Sequence, residues 1–322
     1  MIDKLKEKVL HEQEITKEEA SELASLSQDK ILKLLSAANE IKNEFMSDEV
    51  NMCSIINAKS GSCSEDCNFC AQSSHHDTEV DTYALLPEEK ILAKAKEMDE
   101  SGAKHFGIVT SGRGIETETE FQQILDAVEK IKAETDLEVC ASLGTLQAEQ
   151  VQQLSEVGLK RYNHNLETSR NYFSEICSTH DYEERVQTVK FLKDQGIEVC
   201  CGGIMGLGES FSDRIDLACT LRELDVDSIP LNILNAVSGT PLEDNEPVPP
   251  LEALQTAAIF RFINPCKNIK LCGGREKNLR DLQSLSLLAG VNGLLVGNYL
   301  TTEGRSIEDD LKMIDDLGLS KG

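Results

Sequence analysis

The sequence has no apolar run that approaches the roughly 20 residues needed to cross a bilayer, and its charged N-terminus offers no signal-peptide stretch. Basic residues are scarce, because 32 lysines and arginines stand against 57 aspartates and glutamates, a net charge of −25 over 322 residues. A chain this acidic repels phosphate backbones and anionic lipids, which argues against nucleic acid or a membrane as a partner. We therefore expect a cytoplasmic protein.

Cysteine is abundant by contrast, with eleven residues in the chain. Secretion would explain so many thiols as disulfides, but a reducing compartment does not favour disulfides. The cysteines therefore indicate metal or redox chemistry.

Short apolar runs alternate with amphipathic helical stretches from Asn51 onward. The predicted strands are 52–58, 104–110, 138–143, 161–165, 198–204, 228–234, 269–272 and 293–296. The predicted helices between and after them are 87–99, 120–134, 148–157, 182–195, 212–224, 251–262 and 280–288. Eight strands that alternate with helices predict a (β/α)8 TIM-type barrel, with a doubly wound sheet as the alternative.

The first fifty residues are predicted to be helical, and Thr16 and Glu19 fit a capping box at a helix start. We find no internal repeat and no obvious linker. The chain therefore divides most simply into an N-terminal helical extension, residues 1–50, and a barrel domain, residues 51–322.

Three cysteines, Cys63, Cys67 and Cys70, follow the first predicted strand with C-x3-C-x2-C spacing. Thiols at this spacing in one glycine-containing loop can converge on a single metal centre. A structural zinc site usually has four protein ligands, whereas three thiolates suit a 4Fe–4S cube with one iron open to a small ligand. A zinc site or unligated thiols are the alternatives.

This motif resembles that of the radical S-adenosylmethionine superfamily. The resemblance implies that the open iron binds the amino and carboxylate groups of S-adenosylmethionine, whose reductive cleavage yields methionine and a 5′-deoxyadenosyl radical. It also implies that Phe69 packs near the adenine. The segment 202–209, GGIMGLGE, resembles the adenine-contacting glycine motif, which implies cofactor contacts for Ile204 and Gly206. By themselves these glycines mark no more than a tight strand exit.

Further segments resemble the biotin synthase family within that superfamily. They are 143–146 (LGTL), 162–168 (YNHNLET), 200–203 (CCGG), 229–232 (IPLN) and 239–242 (GTPL). The resemblance implies radical insertion of sulfur into dethiobiotin, with a second iron–sulfur cluster as the sulfur donor. Unactivated C–H bonds cannot be deprotonated by ordinary side chains, so a radical is the chemistry that such a reaction requires.

The resemblance also assigns roles to individual polar side chains. Asn165 and Asn232 are expected to bind the ureido ring of dethiobiotin, and Asn163 lies on the same strand face. Glu167 is expected to hold the ribose hydroxyls of S-adenosylmethionine, and Arg185 its carboxylate. No side chain is assigned as catalytic, because the cofactors carry the radical chemistry. The further implied partners are an electron donor such as flavodoxin or ferredoxin and a second copy of the chain in a homodimer.

The chain departs from the family pattern at the second cluster, which is commonly a 2Fe–2S centre held by three cysteines and an arginine. Cys140 and Cys200 match two of these cysteines, but Gly107 replaces the third and Lys270 replaces the arginine. Lysine does not substitute for arginine, because a protonated ammonium cannot ligate iron. The usual 2Fe–2S site is therefore in doubt.

Two other thiols are candidates to complete this site. Cys272 shares a strand face with Lys270, and Cys53 lies low on the first strand, where we expect it beside the vacancy at Gly107. We hypothesise a set of four thiolates that holds a four-iron cluster with an extra sulfide: Cys53, Cys140, Cys200 and Cys272. The alternative is that Cys53 and Cys272 are small buried hydrophobes.

The remaining cysteines and histidines show no ligand pattern. Cys177, Cys219 and Cys266 are predicted to be structural, Cys201 is predicted to face outward, and His105 and His180 have no evident partners.

Two other functions remain open at this point. A radical enzyme of the hydrogenase-maturation or methylornithine-forming type needs no sulfur donor, which would fit the losses at Gly107 and Lys270. A non-catalytic iron–sulfur carrier is the third hypothesis, and it leaves the asparagine-rich strand unexplained.

Overall fold

Parallel strands close into a barrel in this computed structural model, which describes all residues 1–322. The strands are β1 (Glu49–Lys59), β2 (His105–Thr110), β3 (Glu138–Ser142), β4 (Arg161–Asn163), β5 (Glu198–Cys200), β6 (Gly203–Met205), β7 (Ser228–Ile233), β8 (Asn268–Leu271), β9 (Gly293–Leu295) and β10 (Ser320–Lys321). β1 pairs with both β2 and β9, which closes the ring. β5 and β6 together occupy a single strand position of the barrel, beside β7. The predicted (β/α)8 fold is confirmed.

Helices cover the outside of this ring. They are α1 (Ile2–Leu10), α2 (Lys17–Ala24), α3 (Ile31–Phe45), α4 (Glu88–Glu100), α5 (Glu118–Glu134), α6 (Ala148–Glu156), α7 (Tyr182–Asp194), α8 (Phe211–Glu223), α9 (Pro250–Ile263), α10 (Arg275–Leu279), α11 (Gln283–Leu287) and α12 (Ile307–Asp316). The capping box of Thr16 and Glu19 is present at α2, as predicted. None of these helices has both the length and the apolar character that a bilayer crossing requires.

The predicted strand 198–204 is broken in the structure, because Gly202 lies too close to β7 for a continuous strand with side chains. A Cβ at this position would lie 1.9 Å from the carbonyl oxygen of Pro230. The Gly202 carbonyl instead accepts the backbone N–H groups of Leu166 and Glu167, at 3.0 and 3.1 Å. At this break between β5 and β6, the chain is therefore hydrogen-bonded to the segment that follows β4.

The C-terminal helices also differ from the prediction. The predicted helix 280–288 is a short 3-10 turn followed by α11, and α10 precedes it. α12 was not predicted, although Ser306 caps its first turn. Met313 and Ile314 are its buried apolar residues, and together with the Ser306 cap they were an available signal for this helix.

The N-terminal helices pack against the outer helical layer. α3 lies along α9, and α2 contacts both α8 and α9. Lys42 on α3 is buried and donates to the carbonyl of Leu287 at 2.7 Å. Since β1 begins at Glu49, the division of the chain at residue 50 agrees with the order of elements, and the domain boundary itself stays a prediction.

Candidate functional site

A cavity of about 490 Å³ occupies the barrel, and almost every residue singled out in the sequence lines it. The lining includes Cys53, Cys63, Cys67, Phe69, Cys70, Cys140, Asn163, Asn165, Glu167, Arg185, Cys200, Ile204, Asn232, Lys270 and Cys272. Gly206 is the exception, since it lies outside the lining and its N–H donates to Glu209 at 3.0 Å. Parallel barrel strands bring residues far apart in sequence to one interior, which explains this convergence.

The loop after β1 folds back on itself and carries the first three thiols. The Cys63 N–H donates to the Gln72 carbonyl at 3.0 Å, and the Ser74 N–H donates to the Cys63 carbonyl at 2.8 Å. Burial raises the pKa of the Cys70 thiol to about 11, so this thiol is protonated without a metal. Metal binding at this loop must therefore release protons.

Asp66 anchors this loop to the segment that follows β4. Its Oδ1 accepts the backbone N–H groups of Ser178, at 2.9 Å, and of Thr179, at 3.2 Å. The same contact brings Cys177 Sγ to 3.8 Å from Cys67 Sγ. Cys177 was predicted to be structural, and its contact with a candidate metal ligand was not foreseen from the sequence.

A chain of polar contacts runs from the cysteine loop to Arg185. The Glu65 carboxylate contacts His180 Nδ1, and Arg185 Nε donates to His180 Nε2 at 2.9 Å. Arg185 Nη1 donates to the Asn165 carbonyl at 2.8 Å. The guanidinium is thus held from two sides at the cavity wall. His180 was missed in the sequence, where the spacing Cys177-x-x-His180 was the available signal.

Glu167 has a strained backbone and an unpaired carboxylate oxygen. Its φ of 67° lies in the left-handed region, which non-glycine residues seldom adopt and which often marks a functional site. Its Oε2 is buried without a hydrogen-bond partner, and burial raises the pKa of this carboxyl group. A buried acceptor without a donor is costly, so the site suits a ligand that brings hydroxyl groups.

The asparagines are oriented by backbone groups at the cavity wall. The Asn165 side-chain carbonyl accepts the Gly202 N–H at 3.2 Å, and that of Asn232 accepts the Gly273 N–H at 3.0 Å. Asn163 lies on β4 opposite Cys200. The cavity wall therefore presents several side-chain amide groups between the cysteine loop after β1 and the cysteines of the barrel strands.

The lower cavity gathers a second set of thiols: Cys53, Cys140, Cys200 and Cys272. Lys270 Nζ donates to Cys53 Sγ at 2.7 Å. Burial raises the pKa of the Cys272 thiol, and the charges of Cys200 and Cys53 raise it further. Burial also raises the pKa of Cys140, to about 12.

Cys53 lies one side-chain layer below the position that the sequence suggested. In the β1–β2 register Ile55 is opposite Gly107, whereas Cys53 is opposite His105. A Cβ at Gly107 would lie 3.1 Å from Ile55 Cγ2. The space left by the glycine is therefore next to Ile55, and the expectation that Cys53 adjoins it is corrected.

Sequence reasoning missed two polar residues at the floor of the cavity. His105 Nε2 lies 3.0 Å from Asn51 Nδ2, and burial lowers the pKa of the imidazole to about 2, so it is neutral. Arg161 donates from Nε and Nη2 to Glu198 Oε2, at 3.1 and 2.7 Å. The signal for Arg161 was its position two residues before Asn163, which puts both side chains on one face.

Two family patterns match this chain. The Radical SAM superfamily matches residues 59–221, and the Biotin and Thiamin Synthesis associated domain matches residues 230–320. The chain is 54% identical over 316 residues to biotin synthase of Carboxydothermus hydrogenoformans, covering 98% of this chain and 97% of that protein. It is 51% identical over 319 residues to biotin synthase of Geotalea daltonii, covering 99% and 97%.

Solved structures share the fold at much lower sequence identity. Methylornithine synthase superposes with a TM-score of 0.87 at 21% identity, over 99% of this chain and 97% of that chain. A maturase of the [FeFe]-hydrogenase superposes with a TM-score of 0.84 at 17% identity, over 99% and 74%. These likenesses concern the barrel architecture.

Proposed function

Because the chain belongs to the biotin synthase family of the Radical SAM superfamily, we propose that it converts dethiobiotin to biotin by radical insertion of sulfur. One observation carries the proposal beyond family membership. A single cavity connects the cysteine loop after β1, the asparagines of β4 and β7, and the thiols at the barrel floor.

Family membership implies a 4Fe–4S cluster, S-adenosylmethionine and a second iron–sulfur cluster. When bound, the first cluster and S-adenosylmethionine supply the radical that abstracts hydrogen from the substrate. We assign Cys63, Cys67 and Cys70 as the thiolates of the first cluster. Three thiolates leave one iron of a cube open, which suits the chelating end of an amino acid.

The surroundings of the loop fit S-adenosylmethionine. The unpaired Glu167 Oε2 can accept from ribose hydroxyls, and Arg185, held by His180 and the Asn165 carbonyl, faces the cavity as a carboxylate partner. Phe69 and Ile204 line the same cavity and supply apolar contacts for the adenine. The assignment of Gly206 rests on the resemblance, since its backbone lies outside the lining.

The substrate contacts in this proposal are the amides of Asn163, Asn165 and Asn232. A cyclic urea offers one carbonyl acceptor and two N–H donors, which match side-chain amides. Backbone hydrogen bonds already hold Asn165 and Asn232, so their amide groups are oriented before substrate binds. Preorganised polar groups of this kind fix the orientation of a ligand.

We assign Cys53, Cys140, Cys200 and Cys272 to the second cluster, as a four-iron centre that carries an extra sulfide. All four thiols line the same cavity, and a lysine instead of an arginine stands at position 270, which supports this assignment over a 2Fe–2S site with an arginine ligand. In this arrangement Lys270 contacts the cluster through its hydrogen bond to Cys53. A flavodoxin- or ferredoxin-type electron donor and a homodimer follow from the family resemblance.

Turnover with dethiobiotin tests the function. Protein reconstituted anaerobically with iron and sulfide is reduced in the presence of S-adenosylmethionine and dethiobiotin, and the products are identified by mass spectrometry. We expect biotin together with 5′-deoxyadenosine and methionine. Cleavage of S-adenosylmethionine without biotin would overturn sulfur insertion, and a zinc-containing protein that cleaves nothing would overturn the whole assignment.

Iron and sulfide content tests the four-thiolate site separately. Cys53→Ala and Cys272→Ala should each lower the iron and sulfide bound per chain. Cys219→Ala is the matched control, since Cys219 is a buried free cysteine that lies on α8 outside the cavity lining. Unchanged metal content in the first two variants would contradict the ligand assignment.

A further inference from the structure

Arg161 carries a buried nitrogen for which the protein provides no partner. The side chain is 6% exposed, and two of its nitrogens, Nε and Nη2, donate to the same oxygen of Glu198. The third nitrogen, Nη1, is inaccessible to solvent and makes no hydrogen bond. A buried charged group with an unsatisfied donor is more destabilising than a neutral one, which favours a ligand at this position.

The strand register places this guanidinium among the lower thiols. Arg161 pairs with Cys140 across β3 and β4, and Asn163, two residues further along β4, pairs with Cys200. Arg161 lines the same cavity as Cys53 and Lys270. The unpaired donor therefore belongs to the part of the cavity that we assign to the second cluster.

The charges around Arg161 leave a net positive balance. Glu198 is shared between Arg161 and Lys160, whose Nζ lies 2.8 Å from Glu198 Oε1. Because Glu198 also pairs with the exposed Lys160, this carboxylate does not neutralise the buried Arg161 alone. Lys270 adds a second buried cation beside Cys53. A cluster held by four thiolates and bearing an additional sulfide is strongly anionic, and the two buried cations that line the cavity, Arg161 and Lys270, match it.

We propose that Arg161 is a positioning residue of the second cluster, donating from Nη1 to a cluster sulfur and balancing the negative charge there. This inference rests on the proposed function, because it requires the second cluster. Hydrogen bonds to sulfur and local charge both set the reduction potential of an iron–sulfur cluster. Arg161 should therefore influence the potential and the sulfide content of the second cluster, and not those of the first.

The test compares Arg161→Gln, Arg161→Lys and Lys160→Gln with the parent holoenzyme. Arg161→Gln and Lys160→Gln each remove one positive charge from the group around Glu198, but Lys160 is exposed and makes no contribution to the cavity lining. The measurements are iron and acid-labile sulfide per chain, and the midpoint potentials of both clusters by redox titration followed by electron paramagnetic resonance.

We expect Arg161→Gln to lower the sulfide-to-iron ratio and to shift the second cluster to a more negative potential, because a positive charge and a donor are lost. Arg161→Lys should show a smaller shift, since it keeps the charge and loses the planar fork. Lys160→Gln should match the parent, and the first cluster should be unchanged in all variants.

An unaltered second-cluster potential and sulfide ratio in a folded Arg161→Gln protein would overturn the inference while leaving the proposed function intact. An equal shift in Lys160→Gln would also overturn it, because a general charge effect would then be sufficient. A parent holoenzyme with the iron of a single cube would instead overturn the second cluster itself, and with it both proposals.

Discussion

Several side chains in the cavity have a buried polar atom without a hydrogen-bond partner, at positions that a bound molecule could contact. Glu167 Oε2, His164 Nε2 and Arg161 Nη1 are all buried and unpaired. Burial lowers the pKa of His164 to about 3, so its ring is neutral, whereas Glu167 requires a donor when it is ionised. Unpaired groups of this kind are tolerated chiefly at functional sites, where a ligand satisfies them.

Glu167→Gln is the prediction at this scale. A hydrogen bond to a charged acceptor contributes ~1.5–3 kcal/mol, so we expect S-adenosylmethionine to bind about ten- to a hundredfold more weakly. Burial raises the pKa of Glu167, so the carboxylate is protonated at a higher pH than usual, and parent affinity should fall as the pH is lowered. Equilibrium dialysis with S-adenosylmethionine at a series of decreasing pH values measures this affinity.

The glutamine variant should lose that acidic fall in affinity, since it has no proton to gain. Glu175→Gln, an exposed change in the same connecting segment, is the control and should bind like the parent. Parent-like affinity in Glu167→Gln would remove Glu167 from the cofactor site.

Elements far apart in sequence hold the cysteine loop in place. The loop between β1 and α4 contains no helix or strand, and Asp66 ties it to the segment between β4 and α7. Charge-assisted hydrogen bonds to a carboxylate are among the stronger ones in proteins. The loop that carries the first three thiols is therefore positioned by a second loop more than a hundred residues later.

Asp66→Ala tests this connection between loops. The change removes both backbone hydrogen bonds to Asp66, and loss of even one charge-assisted hydrogen bond corresponds to ~1.5–3 kcal/mol, so we expect iron to be lost to a chelator at least about tenfold faster than from the parent. The measurement is the anaerobic rate of iron release, followed by absorbance. Asp77→Ala, an exposed change in the same loop, should release iron at the parent rate. Equal rates in both variants would show that Asp66 does not hold the loop.

At the scale of the whole molecule, a buried ion pair joins the C-terminal helices α10 and α12. Arg275, which begins α10, donates from Nη1 to Asp310 Oδ1 on α12 at 3.0 Å, and both side chains are fully buried. Arg275 Nη2 also donates to the carbonyl of Leu295 on β9, at 3.2 Å. Through Arg275, α12 is therefore connected to β9, the last strand of the barrel.

Asp310→Asn should lower the free energy of unfolding by about 3–5 kcal/mol, because it removes the only fully buried counter-charge of Arg275 and leaves the partly exposed Glu276 as its carboxylate partner. Chemical denaturation of the parent and the variant under identical cluster loading measures the difference. Glu308→Gln removes an exposed charge from the same helix turn and should change little. A similar stability for Asp310→Asn would mean that the pair does not hold α12 to the barrel.

Much of this protein was determined by local features of its sequence. The alternation of apolar runs predicted all eight strand positions of the barrel, and the motifs around Cys63 and Asn163 predicted the family. The fold and the family are both confirmed. The break at Gly202 was not predictable from the apolar pattern, since it depends on the approach of the Pro230 carbonyl from another strand. Strand periodicity correctly put Cys272 and Lys270 on the inner face.

Only the tertiary structure decided which of these side chains meet. Spacing along the chain is local information, and it settles which residues share a strand face or a loop. The contact of Asp66 with Ser178, the layer in which Cys53 lies, and the unpaired nitrogen of Arg161 depend on barrel register and on loops brought together by closure of the sheet. Those contacts join residues separated by tens to more than a hundred positions, so no local pattern in the sequence contains them.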